Sequence, residues 1–485
     1  MPDLLTILGL AAFVLLFAGL AEGFVSRAPL SFPMLFLGLG YLLGSRGIIE
    51  TSPESKTLEA VGTVTLALVL FLDAVRMKFD RSPSEWLVPS LVLGPGTILT
   101  LLLVAGAAHF LLGLSLAWAL LVGAILSSTD PVVVRDIVRD KRIPGAVRQS
   151  LTTEAATNNV VVLPVVLVTI AVMKSQASTF GGWALILGKL LVLGPAVGFA
   201  VGAVGSWLMS RMDRKFGIRR EYQSLYGMGL VFASYTGAVL VGGDGFLAAF
   251  AAGAAIAALD IELCDCFLEY GDATSEMIML FAFILFGAVL SPLVGTVPLA
   301  ATLVLAAVTL FVARPAAVAI VLRHASISRS ARAFIAWFGP RGLASLLLAL
   351  LVVQARLPGY EAILAIVGVV VTVSVILHGV SATPLAAAYA AKVARETLDE
   401  ERASSARDLL LSGAIRTDGP PTMEVADLLA RLRSERPPLI LDVRSRSSYE
   451  KDPVGIPGDV RVPADQVESW AAKRIRDQAI VAYCT

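Results

Sequence analysis

From Leu4 to about residue 391 the chain is a succession of apolar runs, most of them long enough to cross a bilayer and the ninth short, separated by short polar loops. In lipid every backbone polar group must be satisfied within the protein, so a chain of this kind folds as a bundle of transmembrane helices. Composition agrees: 56% of residues are hydrophobic and 16% charged, against about one quarter charged in soluble proteins. The run from Leu4 to about Phe24 lacks a basic flank, because the chain opens Met1-Pro2-Asp3, and it reads as a transmembrane helix and not a cleaved signal.

Thirteen spans are expected, at about 4–24, 28–44, 58–75, 88–112, 115–139, 149–173, 182–209, 224–241, 244–259, 274–293, 297–322, 332–353 and 360–391. Alternate loops, starting after the first span, hold 17 Lys and Arg and the others only Arg46, Lys56, Lys174 and Arg356. The positive-inside rule then puts the N-terminus outside and the C-terminus in the cytoplasm of a multi-pass protein of the inner (plasma) membrane. The acidic loop at about 260–276 departs from the pattern, but acidic residues weigh little in the rule.

Two spans are interrupted by a charge beside a helix breaker: Ser127-Ser128-Thr129-Asp130-Pro131 in the fifth and Gly339-Pro340-Arg341-Gly342 in the twelfth. Both features are costly at membrane depth, and interrupted helices in matching positions of two halves mark a transport site. The two lie seven spans apart, so they run in opposite directions, each in the middle of a triplet, four-five-six and eleven-twelve-thirteen. That is the pattern of inverted repeats.

Other polar residues fall at similar depth. Glu154 and Asn158 share a face of the sixth helix, and Asn159 lies about 15 Å from that helix's inner end. Asp130, Glu154 and Arg341 are expected to pair, and two carboxylates with one Arg leave a net negative site that suits a cation. Asp73, near the inner end of the third span, is a further candidate, with pairing to the nearby Arg76 at the interface as its simpler explanation. Lys189 and Arg314 lie toward helix ends and are expected to snorkel. His109, His324 and His378 are scattered, and Cys264 and Cys266 have no His nearby, so no metal-ligand pattern arises. There is no phosphate-binding motif for ATP-driven pumping and no basic, aromatic patch for nucleic acid, and no cofactor is expected.

At these residues the chain resembles the sodium/proton exchanger family, in its NhaP-like branch of bacterial monovalent cation/proton antiporters with thirteen spans. Thr129-Asp130-Pro131 matches the fifth-span motif, Glu154 to Asn159 the Glu-x-x-x-Asn-Asp motif of the sixth, and Gly339-Pro340-Arg341-Gly342 the Arg motif of the twelfth. His378-Gly379 with Pro384 matches the start of the last conserved stretch, so the likeness covers about residues 5–390. The resemblance implies a homodimer in membrane lipid that exchanges Na⁺, Li⁺ or K⁺ for protons by elevator-like alternating access. It implies that Thr129 offers oxygen to the ion, that Asp130 and Asn158 hold the helix crossing, and that Glu154 and Arg341 form a structural ion pair. Asp73 falls where some members place an acidic ion ligand. The chain departs from the family at Asn159, where the motif ends in the Asp that alternately binds cation and proton. An amide coordinates a cation through oxygen but carries no proton at physiological pH. Three readings follow: Asp73 or Asp130 has taken over the titration, cations move without strict proton coupling, or the chain is a poorly active regulatory paralogue.

The fold expected is therefore an all-α polytopic membrane domain over 1–391, a polar linker over 392–420, and a partial α/β domain over 421–485. The tail resembles the first part of a rhodanese domain through Leu441-Asp442-Val443-Arg444, Tyr449-Glu450, Ile456-Pro457-Gly458 and Tyr483-Cys484. In that family this Cys carries persulfide, which makes Cys484 a candidate sulfur-carrying residue. The loop that would stabilise its thiolate is missing from the sequence, so the fragment is not expected to be catalytic. A membrane-anchored sulfurtransferase or sulfur/redox sensor is the competing function, and a channel a third.

Overall fold

The computed structural model describes residues 4–25, 30–77, 83–130, 137–138, 140, 142–176, 179–259, 265–325, 327–395, 425–432, 437–444, 449, 454–463, 466–471 and 479–483. Helices occupy each expected apolar stretch: α1 (Leu4–Val25), α2 (Phe32–Ser45), α3 (Lys56–Val75), α4 (83–112), α5 (Leu116–Ser127), α6 (Gly145–Met173), α7 (180–216), α8 (Arg220–Leu240), α9 (Gly245–Ala258), α10 (Asp265–Leu293), α11 (299–321), α12 (Arg329–Trp337), α13 (Leu343–Gln354) and α14 (Tyr360–Arg395). Seven of these helices are long and apolar enough to cross a membrane, and α1, α2, α5, α9 and α13 supply shorter apolar helices. The twelfth expected span is two helices, α12 and α13, and the helix of the fifth ends at Ser127. Pro131 and the basic Arg135, Arg139 and Lys141, like Cys264, lie outside the described residues.

Small residues set the tightest helix contacts. Gly40 and Gly44 of α2 lie against the backbone of Ile284 and Ala288 in α10, and Gly198 and Gly202 of α7 lie against Ala248 and Ala252 in α9. Four-residue spacing keeps each glycine pair on one face, which brings helix backbones together where lipid offers no hydrophobic drive for association. Helix α13 is buried all round, from Leu343 to Val353, and is apolar all round to match. Helix α7 has only 11% of its most apolar window buried, so its surface faces lipid or a partner.

Three helices carry a π turn: Val92–Gly96 in α4, Lys189–Leu193 in α7 and Val308–Ala313 in α11. Those of α4 and α11 fall in the first helices of the two expected triplets, and that of α7 lies outside them. The buried apolar residues form two clusters. The larger includes Ile125, Val162, Ala313 and Leu343. The smaller includes Leu151, Ala155, Val318, Phe334 and Phe338. Helix α6 passes from the second to the first across residues 155–162, α11 crosses between Val318 and Ala313, and the α12–α13 break lies between Phe338 and Leu343. Asp130, Glu154, Asn158, Asn159 and Arg341 sit on this seam.

After α14, residues 396–424, most of the linker and the first residues of the tail, lie outside the described residues. The tail then forms α15 (Val425–Leu432), β1 (Leu439–Asp442), β2 (Val460–Arg461), α16 (Val467–Ala471) and β3 (Ile480–Tyr483). The strands make a parallel sheet of order β2-β1-β3, with Leu441 paired to Val460 and to Ala482. The central strand is the buried one, as a parallel sheet requires. Arg444 makes a fork of hydrogen bonds to Asp442 at 2.7–3.1 Å and lies over the rings of Tyr449 and Tyr483. Burial pushes the Asp442 carboxyl up, and bonding to Arg444 with the charge of Arg461 outweighs it, leaving the group below its ordinary range. Cys484 lies outside the described residues.

Candidate functional site

The breaks at 128–130 and 338–342 meet and satisfy each other. Asp130 donates its backbone N–H to Pro340 O at 2.9 Å, and its Oδ2 accepts the N–H of Leu343, the first residue of α13, at 2.5 Å. A carboxylate at a helix N-terminus offsets the orphan donors and the positive end of the dipole, worth up to about 2 kcal/mol where partly buried. Arg341 does the converse. Its Nη1 donates to Ser127 O at 3.2 Å and Ser128 O at 3.1 Å, the carbonyls that end α5. Its backbone N–H donates to Ser374 Oγ at 2.7 Å, and Ser345 Oγ donates to Ile125 O at 3.0 Å. Each interrupted helix thus supplies the charge that caps the other.

The two glycines of Gly339-Pro340-Arg341-Gly342 make room for this. A Cβ on Gly342 would collide with the Asp130 carboxylate, and a Cβ on Gly339 with the Arg314 guanidinium. The motif is spaced by the charges packed against it.

Arg314 is where the structure corrects the sequence reading. Glu154 pairs with Arg314 and not with Arg341: Nη2 bonds Oε2 at 2.9 Å and Nη1 bonds Oε1. Arg314 also donates to Ile335 O at 3.1 Å and Phe338 O at 3.3 Å, carbonyls at the end of α12. It is 5% exposed and does not snorkel, whereas Lys189 is exposed. The Arg314 side chain leaves α11 directly after the π turn, and the extra residue of that turn re-aims it at α6. With Arg314 included, Asp130, Glu154, Arg314 and Arg341 sum to zero charge, so the expected net negative site is not found in this cluster.

Asn158 is a second correction. Its Nδ2 donates to Thr97 Oγ1 at 3.0 Å, tying α6 to α4, and it makes no hydrogen bond at the crossing among the described residues. Thr97 follows the π turn of α4 and bonds back to Val92 O. The matched π turns of α4 and α11 therefore deliver Thr97 and Arg314 to Asn158 and Glu154, one turn apart on α6.

Asn159 is fully buried, and its Oδ1 accepts from Ser128 Oγ at 2.6 Å, which couples α6 to the break after α5. Thr129 is 3% exposed, and its hydroxyl has no hydrogen-bond partner among the described residues, which leaves it available to a ligand. His378 is buried in α14, with Nδ1 2.8 Å from Ser374 O and Nε2 3.0 Å from Trp337 O, so it helps to hold the end of α12.

Asp73 is 4% exposed, and Arg76 Nη1 lies 3.8 Å from its Oδ1. The pairing with Arg76 is present, yet Asp73 also lines a cavity of about 50 Å³ together with Asp130, Arg76, Asp272, Ser275 and Leu343. The structure therefore brings Asp73 and Asp130 onto one cavity, and it is Asp73 that makes the buried set acidic. No group of three or more His, Cys, Asp or Glu side chains suited to a resident metal occurs among the described residues.

Two interrupted helices that meet at buried, mutually capping charges, within a bundle of apolar helices, define a polytopic membrane protein with a polar centre. The sodium/hydrogen exchanger transmembrane family matches residues 12–388, and the chain belongs to that family. It is 26% identical over 377 residues to the K(+)/H(+) antiporter NhaP of Alkalimonas amylolytica, a match covering 77% of this chain and 65% of that protein. It is 25% identical over 366 residues to the K(+)/H(+) antiporter NhaP2 of Shewanella baltica, covering 74% and 63%. The matched stretch is thus less than two thirds of each relative's length. Among solved structures, the sodium proton antiporter MjNhaP1 from Methanocaldococcus jannaschii at pH 8 shares the fold, with a TM-score of 0.64 and 21% identity over 80% of this chain and 99% of that one.

Proposed function

We propose that this chain is a secondary antiporter, a transporter and not an enzyme, that exchanges a monovalent cation (Na⁺, Li⁺ or K⁺) for protons. The observation that carries the reading is the cavity on which the buried Asp73 and Asp130 converge beside the meeting point of the broken helices. Family membership and the K⁺/H⁺ activity in the names of the relatives support it. In this reading the bundle crosses the membrane thirteen times, N-terminus outside and C-terminus in the cytoplasm, as a homodimer. The triplets α4–α6 and α11–α14 form the moving core of an elevator-type exchange. Asp73, with Asp130, exchanges the proton that Asn159 cannot carry, and Thr129 offers oxygen to the dehydrated cation. Glu154 and Arg314 fix α6 against α11 and take no part in coordination.

A second reading, cation movement with weak proton coupling, has one observation in its favour. The buried Asn159 amide carries no exchangeable proton, and its Oδ1 already accepts the Ser128 hydroxyl. The rhodanese-like tail is read as an appended domain. Its buried Asp442–Arg444 unit and parallel sheet fit that resemblance.

The test is fluorescence-quench antiport in everted vesicles, with Na⁺, Li⁺ and K⁺ added across a range of pH. Cation-induced proton movement with at least one ion is expected. Movement with none, at any pH, refutes antiport by this chain.

A further inference from the structure

At the end of α3 a fixed cation stands beside the carboxylate that the exchange reading assigns to the cargo. Arg76 occupies the C-cap of α3, its N–H on Leu72 O, where the negative end of the helix dipole favours a cation. Its guanidinium bonds the Asp272 carboxylate of α10, and its Nη1 stands 3.8 Å from Asp73 Oδ1. The Arg76 and Asp272 side chains are 34% and 40% exposed, while that of Asp73 is 6% exposed. Arg76, Asp272 and Ser275 line the same cavity as Asp73 and Asp130, so the partly exposed pair forms its wet rim and the two buried carboxylates its interior. A cation entering past that rim meets a guanidinium of its own sign already within reach of Asp73.

We propose that Arg76 is a tethered counter-cation that competes with the transported cation for Asp73, and that Asp272 sets the strength of the competition by holding the guanidinium at the rim. This rests on the exchange reading for the identity of the cargo. Arg76 is then a residue that sets cation affinity and Asp272 a positioning residue that acts through it. Removing Arg76 takes away the fixed competitor of the cation at Asp73. Neutralising Asp272 releases Arg76 toward Asp73 and weakens cation binding. Because the pair is partly exposed and screened by salt, the effects are moderate, about three- to tenfold. A purely structural link between α3 and α10 makes a different prediction: both substitutions lower stability and turnover, in the same direction, with KM unmoved.

The experiment uses the purified full chain in proteoliposomes, with KM and kcat for K⁺ and Na⁺ measured in the wild type, Arg76→Gln, Arg76→Lys, Asp272→Asn and the double variant. Arg76→Gln should lower KM about three- to tenfold, Asp272→Asn should raise it by a similar factor, and Arg76→Lys should stay near wild type. The double variant should match Arg76→Gln alone, because Asp272 has nothing left to hold. An unchanged KM in Arg76→Gln, or an Asp272→Asn effect that persists without Arg76, overturns the proposal. If the wild type shows no exchange, the exchange reading fails by itself. The competition is then read from K⁺- and Na⁺-dependent thermal stabilisation of the same proteins, where equal half-saturation in all variants overturns it.

Discussion

Replacing Arg314 with Met, Glu154 with Gln, and both together measures the buried ion pair on which the seam between the two apolar clusters depends. Arg314→Met leaves the Glu154 carboxylate 2% exposed and stripped of both guanidinium bonds. Breaking a buried pair from one side costs about 3–5 kcal/mol. Glu154→Gln should cost less, about 2–3 kcal/mol, because Arg314 keeps the carbonyls of Ile335 and Phe338. The double variant removes both charges, and since neutral replacement of a buried pair is often nearly neutral, its cost should fall well below the sum. A coupling of about 2–4 kcal/mol between the two sites is expected. The companion cycle with Arg341→Met should give less than about 1 kcal/mol, because Arg341 spends its hydrogen bonds on Ser127 O and Ser128 O. Thermal unfolding of the detergent-solubilised 485-residue chain reads this directly. With an unfolding entropy of about 2 cal/mol/K per residue, each kcal/mol moves Tm by about 1 °C, so Arg314→Met should lower it by about 3–5 °C. Additive effects of Glu154→Gln and Arg314→Met, or a stronger coupling to Arg341, would refute the pairing and the role given to α11.

Two further perturbations address the meeting point of the breaks. Gly342→Ala puts a methyl where the Asp130 carboxylate caps α13; it should cost about 1–3 kcal/mol as overpacking and abolish exchange, checked by Tm and vesicle antiport together. Asn159→Asp restores a titratable group next to Ser128 and should shift the pH profile or ion preference of exchange. No change in either would place position 159 away from the ion.

The interrupted helices, the outer apolar stretches and two of the three tail strands were legible because each rests on local signals: apolar run length, and Pro and Gly beside a charge. Arg314 does not snorkel as expected, and the rule that singles out Arg341 applies to it as well. It stands in Ala313-Arg314-Pro315, a charge beside a breaker inside an apolar run, as Arg341 does. Its nearness to a helix end suggests a route to water, but the π turn before it points the side chain inward, and a π turn has no local sequence signature. Thr97 was missed for the same reason, hidden behind Gly94-Pro95-Gly96. The partner of Glu154 is 160 positions away, and which of two buried arginines meets it is decided by helix packing, which spacing on α6 does not contain. Asp73 remained divided between two roles for a physical reason: it does pair with Arg76, and it also faces the cavity that Asp130 lines.

The central claim is that proton-coupled exchange proceeds without a carboxylate at position 159, through Asp73 on the cavity shared with Asp130. The pH dependence of K⁺- and Na⁺-driven proton movement in everted vesicles, wild type against Asp73→Asn at equal expression, tests it most directly. The account predicts pH-dependent exchange in the wild type and none in the variant. An Asp73→Asn protein with the wild-type rate and pH profile would contradict it.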